Sequence, residues 1–211
     1  MNPLIRREWL GDKKELPILS LLAAINFGTV FVLNYQLSIY LQICRGFSPQ
    51  KAGLILVFAP AVQSAVSFIT GKLAGRQVSL ASLQRTGMVG TGAAATGFAL
   101  LQLDTPLWMF CAGLVCSGFF SALFASPNAS LLFAAAGKEQ SAMASSMVST
   151  MRSMGHSLCM AVGSVTAGFY LGGAKLQEAQ PQQMLQVMET TFFLLSGLCI
   201  IGFIMALSKK M

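Results

Sequence analysis

Six long stretches of this chain contain no charged residue, and each is long enough to cross a lipid bilayer. They cover 16–44, 52–71, 86–103, 105–137, 153–174 and 190–208. An α-helix rises about 1.5 Å per residue, so even the shortest stretch reaches roughly 27 Å, close to a hydrocarbon core of about 30 Å. The pattern predicts an all-α, polytopic membrane protein with six transmembrane helices.

We expect the six membrane spans to form one bundle over residues 16–208. The expected spans are about 18–42, 52–71, 86–103, 106–130, 153–174 and 190–208. Residues 1–15 and 209–211 would flank this bundle. Pro60 in the second span and Pro127 in the fourth are predicted kink sites, because proline removes a helical hydrogen bond.

The composition and the distribution of charge agree with a membrane protein. Charged residues make up only 10% of the chain, whereas soluble proteins carry about 25%. The formal net charge of +7 would favour nucleic acid if the basic residues formed one patch. They lie instead between the spans, where lipid head groups and membrane topology explain them. The expected partner is therefore the lipid bilayer, and nucleic-acid binding is not predicted.

Lysine and arginine are unevenly distributed between alternate connecting segments. With the N-terminus in the cytoplasm, segments 1–15, 72–85, 138–152 and 209–211 hold eleven of the 14 Lys and Arg residues. Such an excess is typical of the cytoplasmic side. We therefore expect both termini to be cytoplasmic, in a bacterial inner (plasma) membrane.

Small residues recur every four positions in the fifth span. One ridge comprises Gly155, Cys159, Gly163 and Ala167, and a second comprises Ser164, Gly168 and Gly172. Because small side chains let helix backbones approach closely, the two ridges predict tightly packed neighbours for this helix.

Polar side chains inside the spans are costly and are therefore candidates for function. The substrate-cavity candidates are Asn26, Asn34, Gln36, Gln63, Asn128 and His156. Each amide could equally form an interhelical hydrogen bond, and His156 could be a hydrogen-bonded interior residue. Candidate aromatic surface is supplied by Phe27, Phe31, Tyr35 and Phe58. For each of these rings, packing against lipid or the core is the simpler interpretation.

The chemistry expected of an enzyme is missing from the sequence. There is no G-x-S-x-G, H-E-x-x-H, P-loop or dinucleotide-binding glycine pattern, so we predict no enzyme activity, catalytic residue, cofactor or metal site. All seven acidic residues lie outside the spans. Since a proton-driven carrier usually needs a membrane carboxylate, a coupling acid would have to lie elsewhere.

Three short motifs occur in order along the chain. They are Tyr40-Leu41-Gln42 followed by Gly46-Phe47-Ser48-Pro49, Ala52-Gly53-Leu54 and Pro60; then Gly71-Lys72-Leu73-Ala74-Gly75-Arg76; and finally Glu139 with Ala144-Ser145 and Thr150-Met151-Arg152-Ser153-Met154-Gly155. Together they resemble the C-terminal six-helix half of the major facilitator superfamily, and more narrowly its drug:proton antiporter subfamily with fourteen predicted spans. The chain departs from the pattern at Gly75, where the family has Asp, and at His156, where it has Gly.

This resemblance implies one half of a major facilitator fold, a 3+3 inverted repeat with its substrate cavity where two halves meet. The implied function is proton-coupled efflux of drugs or amphipathic small molecules, often cationic, by an antiporter. Its coupling carboxylates would lie in a missing N-terminal half. The first, second, fourth and fifth helices would face the cavity, and the cytoplasmic loop and gating candidates are Gly71, Arg76 and Arg152. For Arg152, a cytoplasmic helix-end anchor is the simpler interpretation.

Other interpretations remain open at the level of sequence. The chain could be a self-contained six-span membrane protein with a binding or assembly role, or a non-functional truncated transporter. The sequence does not identify the substrate, the coupling ion, the direction of transport or the oligomeric state.

Overall fold

The computed structural model describes residues 15–73, 79–137, 141–172 and 180–207, and every regular element within these ranges is helical. The helices are α1 (Glu15–Ile43), α2 (Pro49–Leu56), α3 (Phe58–Leu73), α4 (Leu80–Ala99), α5 (Leu107–Ala136), α6 (Ser141–Leu171) and α7 (Pro181–Leu207). The all-α fold predicted from the sequence is confirmed.

Helix α1 lies at the centre of the bundle. It packs against α4, α5, α6 and α7, while α4 lies between α5 and α7 and α3 runs along α5. Leu33, Leu37 and Leu41 are buried along one face of α1, at the spacing expected for a packed helical stripe. Near the same end, the rings of Tyr40 and Phe110 stack with centroids 5.8 Å apart. This apolar core fixes α1 as the helix around which the others are arranged.

Four helical segments are long and apolar enough to cross a membrane. They are Leu16–Ile43, Pro49–Lys72, Leu107–Ala136 and Pro181–Leu207. The remaining long helices, α4 and α6, are rich in Gly, Ser and Thr, and α4 is enclosed by α5 and α7, so it needs less apolar surface towards lipid. The chain is an integral membrane protein by these helices, and the count of six spans stays a prediction.

The second predicted span is divided at Val57 into α2 and α3. Pro60 has no amide hydrogen, and its ring crowds the carbonyl of Leu56 four residues earlier, which ends α2 at that residue. The helix then resumes, with the Ala61 amide donating to the Val57 carbonyl at 3.0 Å. The kink site predicted at Pro60 therefore coincides with a break, whereas α5 continues through Pro127.

Two helices begin earlier than the uncharged stretches suggested. Helix α6 begins at Ser141 rather than near 153, and α7 begins at Pro181 rather than near 190. The uncharged stretches end at the first charged residue, but a helix can continue past one charge when its other residues favour the helical state. Arg152 is consequently the twelfth of 31 residues in α6 and lies in the body of the helix.

Helices α1 and α6 approach each other closely where both carry glycine. A Cβ atom on Gly155 would collide with the carbonyl oxygen of Ala24, and one on Gly28 would collide with the Gly155 backbone. The first predicted small-residue ridge is thus used for close packing. The second is not used in this way at Gly168, which has no neighbouring atom within 4 Å of its Cβ position.

Candidate substrate-binding site

An open concavity of about 540 Å³ lies on one side of the bundle, near the middle of four helices. Its lining comes from α1 (Phe27, Val30, Phe31, Asn34), α3 (Gln63, Ser67), α5 (Ser121, Ala125, Ser126) and α6 (Arg152, His156). Small-molecule sites usually enclose about 300–1,000 Å³. The concavity can therefore hold a small organic molecule, and it is formed by the four helices that the family resemblance places around a substrate cavity.

Two stacked pairs form the wall between α1 and α6. The guanidinium carbon of Arg152 lies 4.4 Å from the centroid of the Phe27 ring. One turn further along both helices, the rings of His156 and Phe31 are nearly parallel, with centroids 4.4 Å apart and an interplanar angle of 16°. Gly155 makes both contacts possible, because a larger residue there would hold α6 away from α1.

Two amide side chains face the same space from different helices. Asn34 on α1 donates one hydrogen bond, from Nδ2 to the Val30 carbonyl of its own helix at 2.8 Å. Gln63 on α3 is half-buried and makes no hydrogen bond to the described residues. Since each amide has two donor hydrogens and an acceptor oxygen, both side chains keep hydrogen-bonding capacity for a ligand.

Serine hydroxyls complete the polar lining on α3 and α5. Ser121 is only 1% exposed, and its Oγ has no hydrogen-bond partner among the described residues. A buried hydroxyl without a partner costs about 1–3 kcal/mol, so a ligand or water that reached it would recover that free energy. Ser67 and Ser126 line the concavity at lower burial.

The concavity is electropositive. Arg152 is the one charged side chain that the described residues contribute to its lining, and no Asp or Glu is among them. Within the described ranges, Arg152 has neither an ion pair nor a hydrogen bond, so the N–H donors of its guanidinium remain available. The same ranges contain no group of three or more His, Cys, Asp or Glu side chains that could hold a metal ion.

The other three amide candidates are enclosed between helices: Asn26 (0% exposed), Gln36 (3%) and Asn128 (1%). Asn26 Nδ2 donates to Thr91 Oγ1 at 3.0 Å, and Gln36 Nε2 donates to Thr191 Oγ1 at 3.2 Å. Asn128 Oδ1 accepts from Gln84 Nε2. These side chains do not line the concavity, and their observed role is to join α1 to α4, α1 to α7, and α5 to α4.

Of the three gating candidates, the two that the structure describes do not share a site. Gly71 is exposed in the last turn of α3, with no neighbouring atom within 4 Å of its Cβ position, and Arg76 lies outside the described residues. Arg152 lies in the concavity, not at a helix end. Of the candidate aromatic residues, Phe27 and Phe31 line the concavity, whereas Tyr35 and Phe58 do not.

Sequence reasoning did not select Ser67, Ser121 and Ser126 as candidate site residues. A signal was present for two of them: Ser67 follows Gln63 by four residues, and Ser121 precedes Ala125 by four, so each pair shares one helix face. The signal is weak because serine in a membrane helix usually bonds to its own backbone, as the Ser130 hydroxyl does with the Ser126 carbonyl.

The long apolar helices define an integral membrane protein, and the bundle carries a concavity of small-molecule size. Comparison with known proteins identifies the family. Residues 19–210 match the family model of the Major Facilitator Superfamily, and the chain belongs to this superfamily.

A curated relative also resembles the chain. The riboflavin transporter RibZ of Clostridioides difficile is 23% identical over 173 residues, which are 82% of this chain and 38% of that protein. The chain therefore spans about two fifths of the length of this curated relative. The family and this relative both point to a transporter rather than an enzyme, as the sequence analysis predicts.

Proposed function

We propose that this chain forms one wall of a transporter that exports drugs or other amphipathic small molecules by alternating access. The polar concavity in the middle of an otherwise apolar bundle is the observation that carries this proposal. In carriers of this kind the substrate binds near the bilayer midplane, where two helical halves meet. Asn34, Gln63, Arg152 and His156 would contact the substrate, while Asn26, Gln36 and Asn128 would keep the helices in register.

The opposite wall would come from a second, N-terminal six-helix half. Two exposed faces support this part of the proposal. Only 11% of an 18-residue apolar window within Pro49–Lys72 is buried inside the bundle. Helix α6 exposes Ser146, Thr150, Ser153 and Ser157, whose hydroxyls donate to carbonyls of their own helix. A hydroxyl-rich face suits contact with protein or water better than contact with lipid chains.

The membrane arrangement belongs to the same proposal. Six spans, related as a 3+3 inverted repeat, would cross a bacterial inner membrane with both termini in the cytoplasm. The excess of Lys and Arg in alternate segments supports this orientation. The loop of Gly71 and Arg76 would then lie on the cytoplasmic side, where it would contribute to gating.

Proton-coupled antiport is the transport mode that we propose. The described lining of the concavity contains no carboxylate, so the coupling acids would be supplied by the second half. Riboflavin, named for the relative, is a second candidate substrate, because its planar ring system matches the stacked Phe31–His156 pair in shape.

Transport can be tested in inside-out membrane vesicles from the source cells. With an imposed proton gradient, vesicles that contain the protein should accumulate a fluorescent amphipathic dye, and vesicles from cells lacking the chain should accumulate less. The double variant Asn34→Leu and Gln63→Leu should lose most of this uptake. Gln42→Leu is the matched control, since Gln42 bonds within its own helix to Ser38 and does not line the concavity.

Two results would contradict the proposal. Equal dye accumulation with and without the chain would remove the export function. Unchanged uptake by the double variant, at normal protein levels, would show that the concavity is not the substrate wall, and a binding or assembly role for the bundle would then be favoured.

A further inference from the structure

The charge of the concavity is not balanced by the part of the chain that the structure describes. Arg152 lies eleven residues into α6, beside the middle of α1, and is exposed to the open concavity. Within a membrane span a charged group is costly unless it is paired. Its stacking on Phe27 stabilises the cation, and the N–H donors of the guanidinium have no acceptor among the described residues. A carboxylate, sulfonate or phosphate would satisfy two of those donors at once in the bidentate geometry that guanidinium groups favour.

Planar surfaces lie directly beside this cation. The Phe31–His156 pair follows the Phe27–Arg152 pair by one helical turn, and the centroids of its nearly parallel rings are 4.4 Å apart. Aromatic rings bind preferentially against such surfaces in offset-stacked or edge-on arrangements. The wall between α1 and α6 therefore presents an anion-binding group and an aromatic platform within one turn of each other.

The wall formed by α5 supplies hydrogen bonds and no opposing charge. Ser121 Oγ is buried without a partner, and Ser126 lies nearby on the same lining. A hydroxyl can donate to or accept from a polar substituent on a ligand. No carboxylate in the described lining would attract an organic cation, and the positive charge of Arg152 would repel it.

We propose that this wall binds planar aromatic anions, with Arg152 holding the anionic group and the Phe31–His156 pair contacting the ring. This inference rests on the proposed function, because it names the substrate class of the same concavity. It also reverses the cationic preference that the subfamily resemblance implies, at least for the wall supplied by this chain.

Direct binding to the full-length chain tests the inference without transport. The chain would be placed in nanodiscs of zwitterionic phosphatidylcholine, and three probes would be titrated: 2-naphthoate, 2-naphthylmethylammonium and cyclohexanecarboxylate. Empty nanodiscs give the correction for partition into lipid. We expect naphthoate to bind about tenfold more tightly than the ammonium probe, since one charge-assisted hydrogen bond alone is worth roughly this factor. Naphthoate should also bind more tightly than cyclohexanecarboxylate, which carries the same anionic group but no aromatic ring to pack against the Phe31–His156 pair.

Substitution of the cation should remove the selectivity. Arg152→Gln should weaken naphthoate binding about tenfold and leave the ammonium probe unchanged or slightly tighter. Arg152→Lys keeps the charge but loses the planar fork, so its affinity should be intermediate. Lys72→Gln is the matched control, because Lys72 Nζ also lies over a phenylalanine ring, 4.3 Å from the centroid of Phe68, but outside the concavity.

Several results would overturn the inference. One is the absence of naphthoate binding, and another is an affinity for the ammonium probe that equals or exceeds that for naphthoate. A third is unchanged naphthoate binding by an Arg152→Gln protein that unfolds at the same temperature as the unsubstituted chain. Equal binding of cyclohexanecarboxylate would remove the aromatic requirement. Loss of naphthoate binding when phosphatidylglycerol is added to the nanodiscs would identify Arg152 as a lipid head-group site instead.

The inference and the proposed function can fail separately. Selective anion binding without dye accumulation by vesicles would leave the inference standing and remove the transport proposal. Transport by vesicles that is insensitive to Arg152→Gln and favours cations would overturn the inference alone.

Discussion

Amide side chains in this bundle fall into two groups with different surroundings. Asn26, Gln36 and Asn128 are enclosed and bonded to other helices, whereas Asn34 and Gln63 face an open concavity. An enclosed amide that loses its partner costs about 1–3 kcal/mol, because the remaining group is left without a hydrogen bond. An amide in the concavity can bind water or a ligand instead. The same residue type therefore serves stability in one place and binding in the other.

Two leucine substitutions should separate these roles. Asn128→Leu removes the acceptor for Gln84 Nε2 and should lower the free energy of unfolding by about 1–3 kcal/mol, measured as a lower unfolding temperature in detergent. Asn34→Leu removes only a bond to its own helix, so it should leave the unfolding temperature nearly unchanged while weakening substrate binding. Equal destabilisation by both substitutions would contradict the division.

Sequence alone could propose these amides but could not sort them. Asn26 and Asn34 are eight residues apart, a little over two helical turns, and eight residues at 3.6 per turn differ in direction by about 80°. That rotation turns Asn26 towards Thr91 on α4 and Asn34 towards the concavity. The face that lines the site carries Phe27, Phe31 and Asn34, and its importance depends on the position of α6, which no local pattern specifies.

At the scale of elements, the contact between α1 and α6 positions the candidate site. The backbones meet at Gly28 and Gly155, and the Arg152 and His156 side chains on either side of Gly155 then reach the Phe27 and Phe31 rings of α1. The site geometry therefore depends on a residue with no side chain. Binding and helix packing should accordingly respond together when this contact is altered.

Alanine at two glycines of α6 should have opposite effects. Gly155→Ala places a Cβ atom against the Ala24 carbonyl and should lower the unfolding temperature and weaken ligand binding, because α6 must move away from α1. Gly168→Ala meets no atom within 4 Å and should be neutral or stabilising by up to about 1 kcal/mol, the gain in helix propensity. Thermal unfolding of both variants measures the difference. A stable Gly155→Ala protein with normal binding would contradict the close approach.

The order and type of the elements followed from the uncharged stretches, but their ends did not. An uncharged stretch ends at a charged residue, whereas α6 begins at Ser141, twelve residues before the expected span. The charge of Arg152 was therefore expected at the membrane surface and instead lies in the concavity. The division at Val57 could be anticipated, because Pro60 has a local and unavoidable effect on the preceding turn.

At the scale of the whole molecule, the bundle has two kinds of surface. Helix α7 exposes apolar residues such as Ile200, Ile201 and Ile204, as expected for a lipid-facing surface. The faces of α3 and α6 that border the concavity are more mixed, with serine and threonine beside phenylalanine. This asymmetry supports the proposal that one side contacts lipid and the other a second half.

Reporter fusions should establish the membrane orientation. Alkaline phosphatase, which is active only outside the cytoplasm, should be active when fused after Ser48 or Thr105 and inactive after Ser79 or Gly137. These positions alternate along the proposed six spans, and the excess of Lys and Arg sets the cytoplasmic side. Activity at Ser79 or Gly137 would contradict the proposed orientation.

Water access to the concavity tests the proposed transport wall most directly. In a background without the five native cysteines, Ser67→Cys and Ala125→Cys would be placed in the lining and Ile200→Cys on the exposed face of α7. A polar maleimide would then be applied to membranes of the source cells, since maleimide reacts with thiolates, which form in water and not in lipid. We predict rapid labelling of the first two and little labelling of the third. Labelling of Ser67→Cys and Ala125→Cys no faster than that of Ile200→Cys would show that the concavity is closed to water and is not a substrate pathway.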